Sequence, residues 1–568
     1  MRYGSPVPER PLAGRAAAPV PDSAARALTD RQSRAPRHVG NFALVAFSIL
    51  GAFVALTILL YFTSAHAVAG NSDGATVILE GQSMSSGHFA LNGWALSSDS
   101  FWTVDAVVYM FAVLAAGVHA VLLNLGPALI GAAVVVVGAC IVRADWRGTA
   151  GFAGMATVVA LLALPSHAFA FFLLQGSMHV GTTLWCLLAF IALKTGRFGW
   201  GWVIAVILLA AGTVGDLQTI ALGVVPALVA GIAASARCRD WRAGLPTSAA
   251  ALGSVALAMV VREVAQAVGT FTLVSSAPRA AVSQMVDNVA ILGDYMTKLF
   301  GLGPAAFGTG GAPLFTEYAH GIALVVVVGS VLVAVVRLVR GLASGREFSS
   351  RRPASWRLDD LLVFAFCGDL VVFLALTQGS APSDARYLTA AVIFGSVLAA
   401  RLVARCTARL LVVRRRLAPW AVKFAAVAAT AVVGVLATGL AFNLTTTQPT
   451  RAYAQIGALL EAHGLHEGVG DYWSSSIVTV ETNDDVLVRP VALAPDGRLV
   501  RYARESTSSW YLDQHFNFLV YNTLLPFGSV DRATAVATFG RVARTYHLGS
   551  LEVLVWAHPF TVSAHGVS

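Results

Sequence analysis

Long apolar runs separated by short basic segments make up most of this chain. Runs near 41–63, 126–142, 149–170, 178–194, 199–213, 218–235, 247–265, 318–338, 358–378, 385–404 and 419–442 read as helices that cross a bilayer, about eleven in all. Between them lie Arg31, Arg34 and Arg37, then Arg143–Arg147, Lys194–Arg197, Arg237–Arg242, Arg337–Arg357 and Arg405–Lys423. Short loops rich in Arg and Lys stay on the cytoplasmic side. Placing all of them inside requires an odd number of spans, with the N-terminus in the cytoplasm and the C-terminus outside. A further apolar stretch, Ala106–Leu123, would put Arg143–Arg147 outside if it were counted. It is expected to lie as a helix at the outer interface.

The rest of the chain divides by pattern. Residues 1–40 are rich in Arg, Pro, Ala and Ser and read as a disordered cytoplasmic arm. Outer loops are expected over 64–125 and 266–317, with short turns near 171–178, 214–217 and 379–384. The loop segment 301–311, GLGPAAFGTGG, lacks the Lys-Ser/Thr of a phosphate loop and reads as flexible. The tail, 443–568, starts with a helical pattern over Arg451–His463. It continues with strand-like runs at Ile477–Val480, Val486–Val491 and Leu551–Trp556. The fold class expected is an all-α polytopic membrane protein with a small C-terminal α/β domain outside the cytoplasm. Its parts are 1–40, 41–442 and 443–568.

Composition agrees with this pattern. The 568 residues are 57% hydrophobic and 12% charged, against about 45–50% and 25% in soluble proteins. The net charge of +9 comes from topology-setting loops, so nucleic acid is not an expected partner. The five cysteines, Cys140, Cys186, Cys238, Cys367 and Cys406, fall in spans or inner loops, where disulfides are not expected. No pair has metal-ligand spacing.

Candidate chemistry gathers at the outer ends of the spans. Asp73 lies in GNSDG, Asp99 and Asp105 lie further along the same loop, and His179 opens a span in SMHVG. Asp216 lies in GDLQT, and Asp384, Arg386 and Tyr387 lie in SDARYL. Ionisable groups at membrane depth are costly and mark functional sites by default. The plain alternative is that outer turns need polar residues to face water, and that Asp105 is a helix cap or interface residue. Asp369, inside a span, must face a cavity or pair with a neighbouring helix. Trp94, Trp102, Tyr472 and Trp473 suit anchoring at the interface. His463, His466, Glu467 and Asp471 lie close together but show no tetrahedral metal pattern.

These motifs together resemble the GT-C superfamily of membrane glycosyltransferases, in the group of protein mannosyltransferases and aminoarabinose transferases. The resemblance rests on an acidic residue soon after the first span in NSDGATVILEGQSMSSGHFALNGWALSSDSFWTVDAVVY, and on the long loop with its interfacial helix. GDLQT resembles an acidic turn between later spans, and SDARYL an RYL-type element. GVGDYWSSSIVTVET, an aromatic pair leading into a strand, resembles the tails of bacterial members. The paired acids frequent after the first span are reduced here to Asp73, between Ser72 and Gly74.

The resemblance implies transfer of a sugar from a polyprenyl-phosphate donor to a glycan, lipid or protein acceptor outside the cytoplasm, in a bacterial inner membrane. It implies Asp73 as the catalytic base, with Arg386 and Tyr387 at the donor phosphate. Asp216, His179, Asp384, Trp94, Trp102, Tyr472 and Trp473 are implied as substrate-binding residues. No metal ligands are assigned and no cofactor is firmly called for, a divalent metal being an option. The rival readings are a transporter or flippase of a lipid-linked substrate, which should show inverted repeats, and a catalytically silent member.

Overall fold

Each of the apolar runs becomes a helix. The computed structural model describes residues 23–274, 280–302, 314–344, 356–375, 382–413, 419–446, 451–524 and 527–567. Residues 1–22 of the expected arm and most of the glycine-rich stretch 301–311 lie outside the described residues, as do 379–381 of the last short turn. Two compact units are distinguished, Met1–Ala52 and Phe53–Ser568. In the first, the described residues form the start of a helix, Ser23–Ala67, which takes in residues 23–40 of the expected arm. Ala, Arg, Leu and Gln favour a helix there. The second unit holds the remaining helices, two sheets and the cavity described below.

Among the described residues, six helices are long and apolar enough to cross a membrane, or up to seven if the pair Gly148–Leu162 and His167–Leu173, bent by 91°, is one span. This count does not confirm the eleven expected. Val180–Leu193 and Trp200–Gly215 are apolar but short, as is the apolar part of the last long helix, Ala429–Phe442. Trp356–Ala375 carries Arg357, Asp359, Asp360 and Asp369 within its length. The stretch expected at the interface is a separate helix, Asp105–Ala116, of 12 residues, and a bilayer crossing needs about 20.

Two helices carry basic residues at one end and candidate site residues at the other, and a third, Leu122–Arg143, ends on a basic residue. Leu122–Arg143 runs 22 residues, about 33 Å at 1.5 Å per residue. Val180–Leu193 runs from His179 to Lys194, and Thr389–Val413 follows Arg386 and contains Arg401 and Arg405. At the basic end, charges from segments far apart in sequence meet. Arg401 pairs with Asp359 at 2.6 Å and Asp145 at 2.9 Å, and Lys194 pairs with Asp145 at 2.8 Å. Arg405 and Arg337 also reach Asp359, at 2.8 and 3.0 Å, and Arg237 reaches Asp360 at 3.2 Å. Arg401 is only 1% exposed, so its charge depends on these partners.

The tail forms a mixed seven-stranded sheet. Its strands lie in the order Gly566–Val567, Leu499–Tyr502, Leu487–Leu493, Glu467–Gly470, Phe516–Asn522, Leu551–Phe560 and Arg544–Leu548. The central strand Glu467–Gly470 is parallel to both neighbours, Val469 lying opposite Arg489 and Leu519. A helix covers Ala452–Ala462. The run Ile477–Val480, expected as a strand, is instead part of the helix Tyr472–Glu481. The aromatic pair therefore opens a helix and does not lead into a strand. Asp471 decides this: its side chain accepts from the Ser474 N–H at 3.0 Å and the Ser474 hydroxyl at 2.9 Å. This N-cap outweighs the strand preference of the β-branched run.

That helix packs on the helix Ser72–Ser85 of the first outer loop. Ile78, Tyr109, Ile477 and Phe518 share one core, and Thr76 Oγ1 donates to Ser476 Oγ at 3.1 Å. Gly81 lets Asp105–Ala116 approach closely, since a Cβ there would lie 2.8 Å from the Met110 nitrogen. A second, three-stranded sheet joins both outer loops to the tail, pairing Trp94–Leu96 with Thr272–Leu273 and with Ser506–Thr507. Asp471 also accepts from the Asn522 N–H at 2.8 Å. Asp471→Ala is expected to destabilise the protein by about 1–2 kcal/mol, as loss of a helix cap does, read as a lower melting temperature in detergent.

Candidate active site

Where the first outer loop, the turn before Thr389–Val413 and the tail converge, they enclose a cavity of about 290 Å³. Asp73, His179, Arg386, Tyr387, Tyr472 and Trp473 line it. Asp73 stands in the first turn of Ser72–Ser85, whose cap Asn71 accepts from the Gly74 N–H at 2.9 Å. Val77 and Glu80 follow at four and seven residues and line the same cavity. This is the spacing of one helix face. The Tyr472 hydroxyl donates to Asp73, so the tail helix touches the carboxylate directly.

Arg386 is held by its neighbour. Its Nη2 donates to the Tyr387 hydroxyl at 3.2 Å, and its guanidinium carbon lies 4.9 Å from the Tyr387 ring centre. Its Nε is buried without a hydrogen-bond partner among the described residues. His179 has φ of 61° and Ser177 φ of 48°, so this turn places two non-glycine residues in the left-handed region. Such strain persists only where surrounding contacts hold it. Here Asp216 accepts from His179 Nδ1 at 2.7 Å and also from the Thr182 hydroxyl.

Asp216 itself is fully buried and stands behind His179, not on the cavity wall. The Gln218 N–H donates to it at 2.9 Å, and Gln218 Nε2 donates to Asp369 at 2.9 Å. Asp369 also accepts from the Ala391 N–H at 2.7 Å. The acid inside a span is thus paired, and it ties the GDLQT turn to the start of the helix behind Arg386. Asp384 is buried in the same turn as Arg386 but outside the lining. Asp105 is buried against Gly181, whose added Cβ would lie 1.8 Å from Asp105 Oδ1.

Trp94 and Trp102 are core residues of the outer loop and do not reach the cavity. Trp94 packs edge-on to Trp510 at 5.0 Å. The Trp102 indole Nε1–H donates to the Phe89 carbonyl at 2.8 Å, and its ring packs on Phe271. His463 and His466 are engaged with the Leu459 and Asp485 carbonyls, while Asp471 caps its helix. Among the described residues, no group of three or more His, Cys, Asp or Glu side chains is placed to hold a metal ion.

The cavity also holds Asp99, and further groups outside the candidate set: Glu80, Tyr502, Arg504, Glu505 and Phe527. Glu80 had a sequence signal, its seven-residue spacing from Asp73. Arg504 and Glu505 had none, because a charged pair beyond a strand reads as a solvated turn. The Glu505 N–H donates to the Ala95 carbonyl at 2.6 Å, and the Ser97 N–H donates to Glu505 Oε1 at 3.0 Å. Tertiary pairing alone brings these residues in.

Burial dominates the electrostatics. It raises the Asp73 carboxyl above its usual range, while the Tyr472 hydroxyl, Arg386 and Arg504 hold it down. Burial and the nearby Asp216 raise Asp99 to about 6, and burial raises Glu505 to about 7. Asp73 is therefore not the freely exposed carboxylate that its place after a span suggests. With Asp73 as the base that the resemblance implies, activity is expected to fall as pH drops through its pKa, since a base works only when ionised. Tyr472→Phe removes a hydrogen bond to the ionised form, and the acid limb of the pH–rate profile is expected to move to higher pH. An unmoved limb would show that Asp73 does not set it.

No family model matches the chain, and no curated protein matches it in sequence. Solved structures do match. ArnT from Cupriavidus metallidurans, bound to undecaprenyl phosphate, aligns over 92% of this chain and 100% of its own, at 14% identity and a TM-score of 0.50. This chain shares the fold of that structure. The archaeal oligosaccharyltransferase AglB from Archaeoglobus fulgidus, in complex with an inhibitory peptide and a dolichol-phosphate, aligns over 87% of this chain and 72% of its own. Its identity is 12% and its TM-score 0.47. In this chain the cavity is walled jointly by the first long loop, the SDARYL turn and the tail.

Proposed function

We propose that this chain is a glycosyltransferase that moves a sugar from a polyprenyl-phosphate donor to an acceptor outside the cytoplasm. The observation that carries the reading is that Asp73 and Arg386, 313 residues apart by their numbers, line one cavity. The acceptor hydroxyl attacks the anomeric carbon as the bond from that carbon to the phosphate oxygen breaks. The hydroxyl proton passes to Asp73. Negative charge grows on the departing lipid phosphate, where Arg386 stabilises it. His179, held by Asp216, lines the same space. Attack opposite the leaving group inverts the anomeric centre. The fold shared with a structure that holds undecaprenyl phosphate supports a lipid-linked donor.

The test uses the purified chain in liposomes with radiolabelled undecaprenyl-phosphate sugars and an envelope extract as acceptor. Transfer of label with release of undecaprenyl phosphate is expected. Movement of intact donor between leaflets without bond cleavage would favour a flippase instead.

The proposed orientation in a bacterial cytoplasmic membrane is supported by the ion-paired basic end of Val180–Leu193 and Thr389–Val413, opposite their cavity ends. Reporter fusions after Thr63 and Ser568 are expected to report the outside, and a fusion after Arg147 the inside. A cytoplasmic C-terminus would overturn this orientation.

A further inference from the structure

The cavity has two unlike sides. On one, Arg386, Tyr387 and His179 come from the helical bundle. On the other, the tail supplies an aromatic cluster. Tyr472 lies 4.9 Å from Trp473, 5.4 Å from Tyr502 and 5.7 Å from Phe527, and Tyr502 lies 5.3 Å from Phe527. Trp473 remains 36% exposed, so part of its indole is open to a ligand. Because the Tyr472 hydroxyl donates to Asp73, this aromatic wall ends at the proposed base.

Two carboxylates border the same space. Glu80 is 1% exposed, and its Oε2 has no hydrogen-bond partner among the described residues. An unpaired buried acceptor costs about 1–3 kcal/mol, which a ligand hydroxyl would relieve. Glu505 is fixed by the Ser97 N–H at 3.0 Å.

We propose that the tail side of the cavity is a saccharide-acceptor subsite, with Trp473, Tyr502 and Phe527 as stacking wall and Glu80 and Glu505 as hydroxyl partners. The inference rests on the transferase reading above and names its acceptor class, a hydroxyl-rich glycan. A sugar ring has an apolar C–H face and a polar edge, and this wall has the complementary faces. Burial lifts Glu80 well above the carboxylate range and Glu505 to about 7. Such groups both donate to and accept from hydroxyls near neutral pH. A lipid acceptor would bury these carboxylates against hydrocarbon without partners, which is costly. A peptide would bring backbone amide pairs, and this wall offers them aromatic faces.

The test is saturation-transfer NMR on the purified protein in nanodiscs. The probes are a panel of neutral trisaccharides, a ten-residue peptide containing Ser and Asn, and undecaprenyl phosphate. At least one trisaccharide is expected to receive saturation on its ring C–H protons. Trp473→Ala is expected to weaken it about tenfold, the scale of one aromatic stacking contact, with recovery in Trp473→Phe. Glu505→Gln should weaken it as well. Undecaprenyl phosphate binding by the same variants shows that they are folded. If undecaprenyl phosphate binds and no trisaccharide does, the acceptor inference falls and the transferase reading stands. If the peptide binds and Trp473→Ala weakens it, the acceptor is a polypeptide and the inference also falls. If undecaprenyl phosphate does not bind the wild-type protein, the transferase reading itself falls.

Discussion

Asp73→Asn is expected to abolish sugar transfer, with a rate loss of about 100- to 10,000-fold, the range for removal of a general base. Asn is nearly isosteric with Asp and still accepts the hydroxyl of Tyr472, the contact that ties helix Ser72–Ser85 to the tail. The amide cannot take a proton. The helix keeps its cap, since Asn71 accepts from the Gly74 N–H independently. Expression and melting temperature should therefore stay near wild type while transfer is lost. Asp105→Asn is the control, because Asp105 is in the same outer loop but outside the cavity lining. Transfer assays in liposomes decide the matter, and full transfer by Asp73→Asn would remove this carboxylate from the reaction.

Arg386→Ala is expected to lower transfer by about 100- to 1,000-fold, the scale for losing one group that stabilises charge in the transition state. The guanidinium is set in place before any ligand arrives, by the Tyr387 hydroxyl at 3.2 Å and by the ring beneath it. Its buried Nε has no partner among the described residues, so a phosphate oxygen would complete it. Charge on the lipid phosphate grows as the sugar departs, so kcat should fall more than KM rises. Arg386→Lys keeps the charge but not the planar fork, and should recover part of the loss. Equal kcat in Arg386→Ala and the wild type would assign the leaving phosphate to another group.

Much of the architecture is visible in the one-dimensional pattern, because burial in a bilayer imposes length and hydrophobicity on each helix. The separation of Asp105–Ala116 from Leu122–Arg143 was legible from charge placement alone. Span lengths were less so. Val180–Leu193 is shorter than its apolar run, 178–194, since the turn containing His179 takes residues from its start, while Trp200–Gly215 outruns 199–213 and ends at Asp216. In the tail, a β-branched run at Ile477–Val480 reads as a strand until the reach of Asp471 to Ser474 is seen.

The sequence by itself determined which residues were chemically able to act. Asp73, His179 and Arg386 stand out because ionisable groups beside hydrocarbon are costly unless they have a use, and Tyr387, Tyr472 and Trp473 because aromatic rings with a polar tip suit a ligand surface. Glu80 was within reach of the same reasoning, two helical turns from Asp73. Which of the candidates share a space was decided only by the tertiary structure. Trp94 and Trp102 have the same composition signal as Trp473, yet they fill the core of the outer loop. Asp216 went behind His179, and Asp369 found Gln218, because buried carboxylates must be paired wherever the packing places them. Arg504 and Glu505 entered the cavity through strand pairing between Trp94–Leu96 and Ser506–Thr507. Those strands are more than 400 residues apart in the chain. Local propensity cannot encode contacts at that distance, which depend on the shape complementarity of the folded whole.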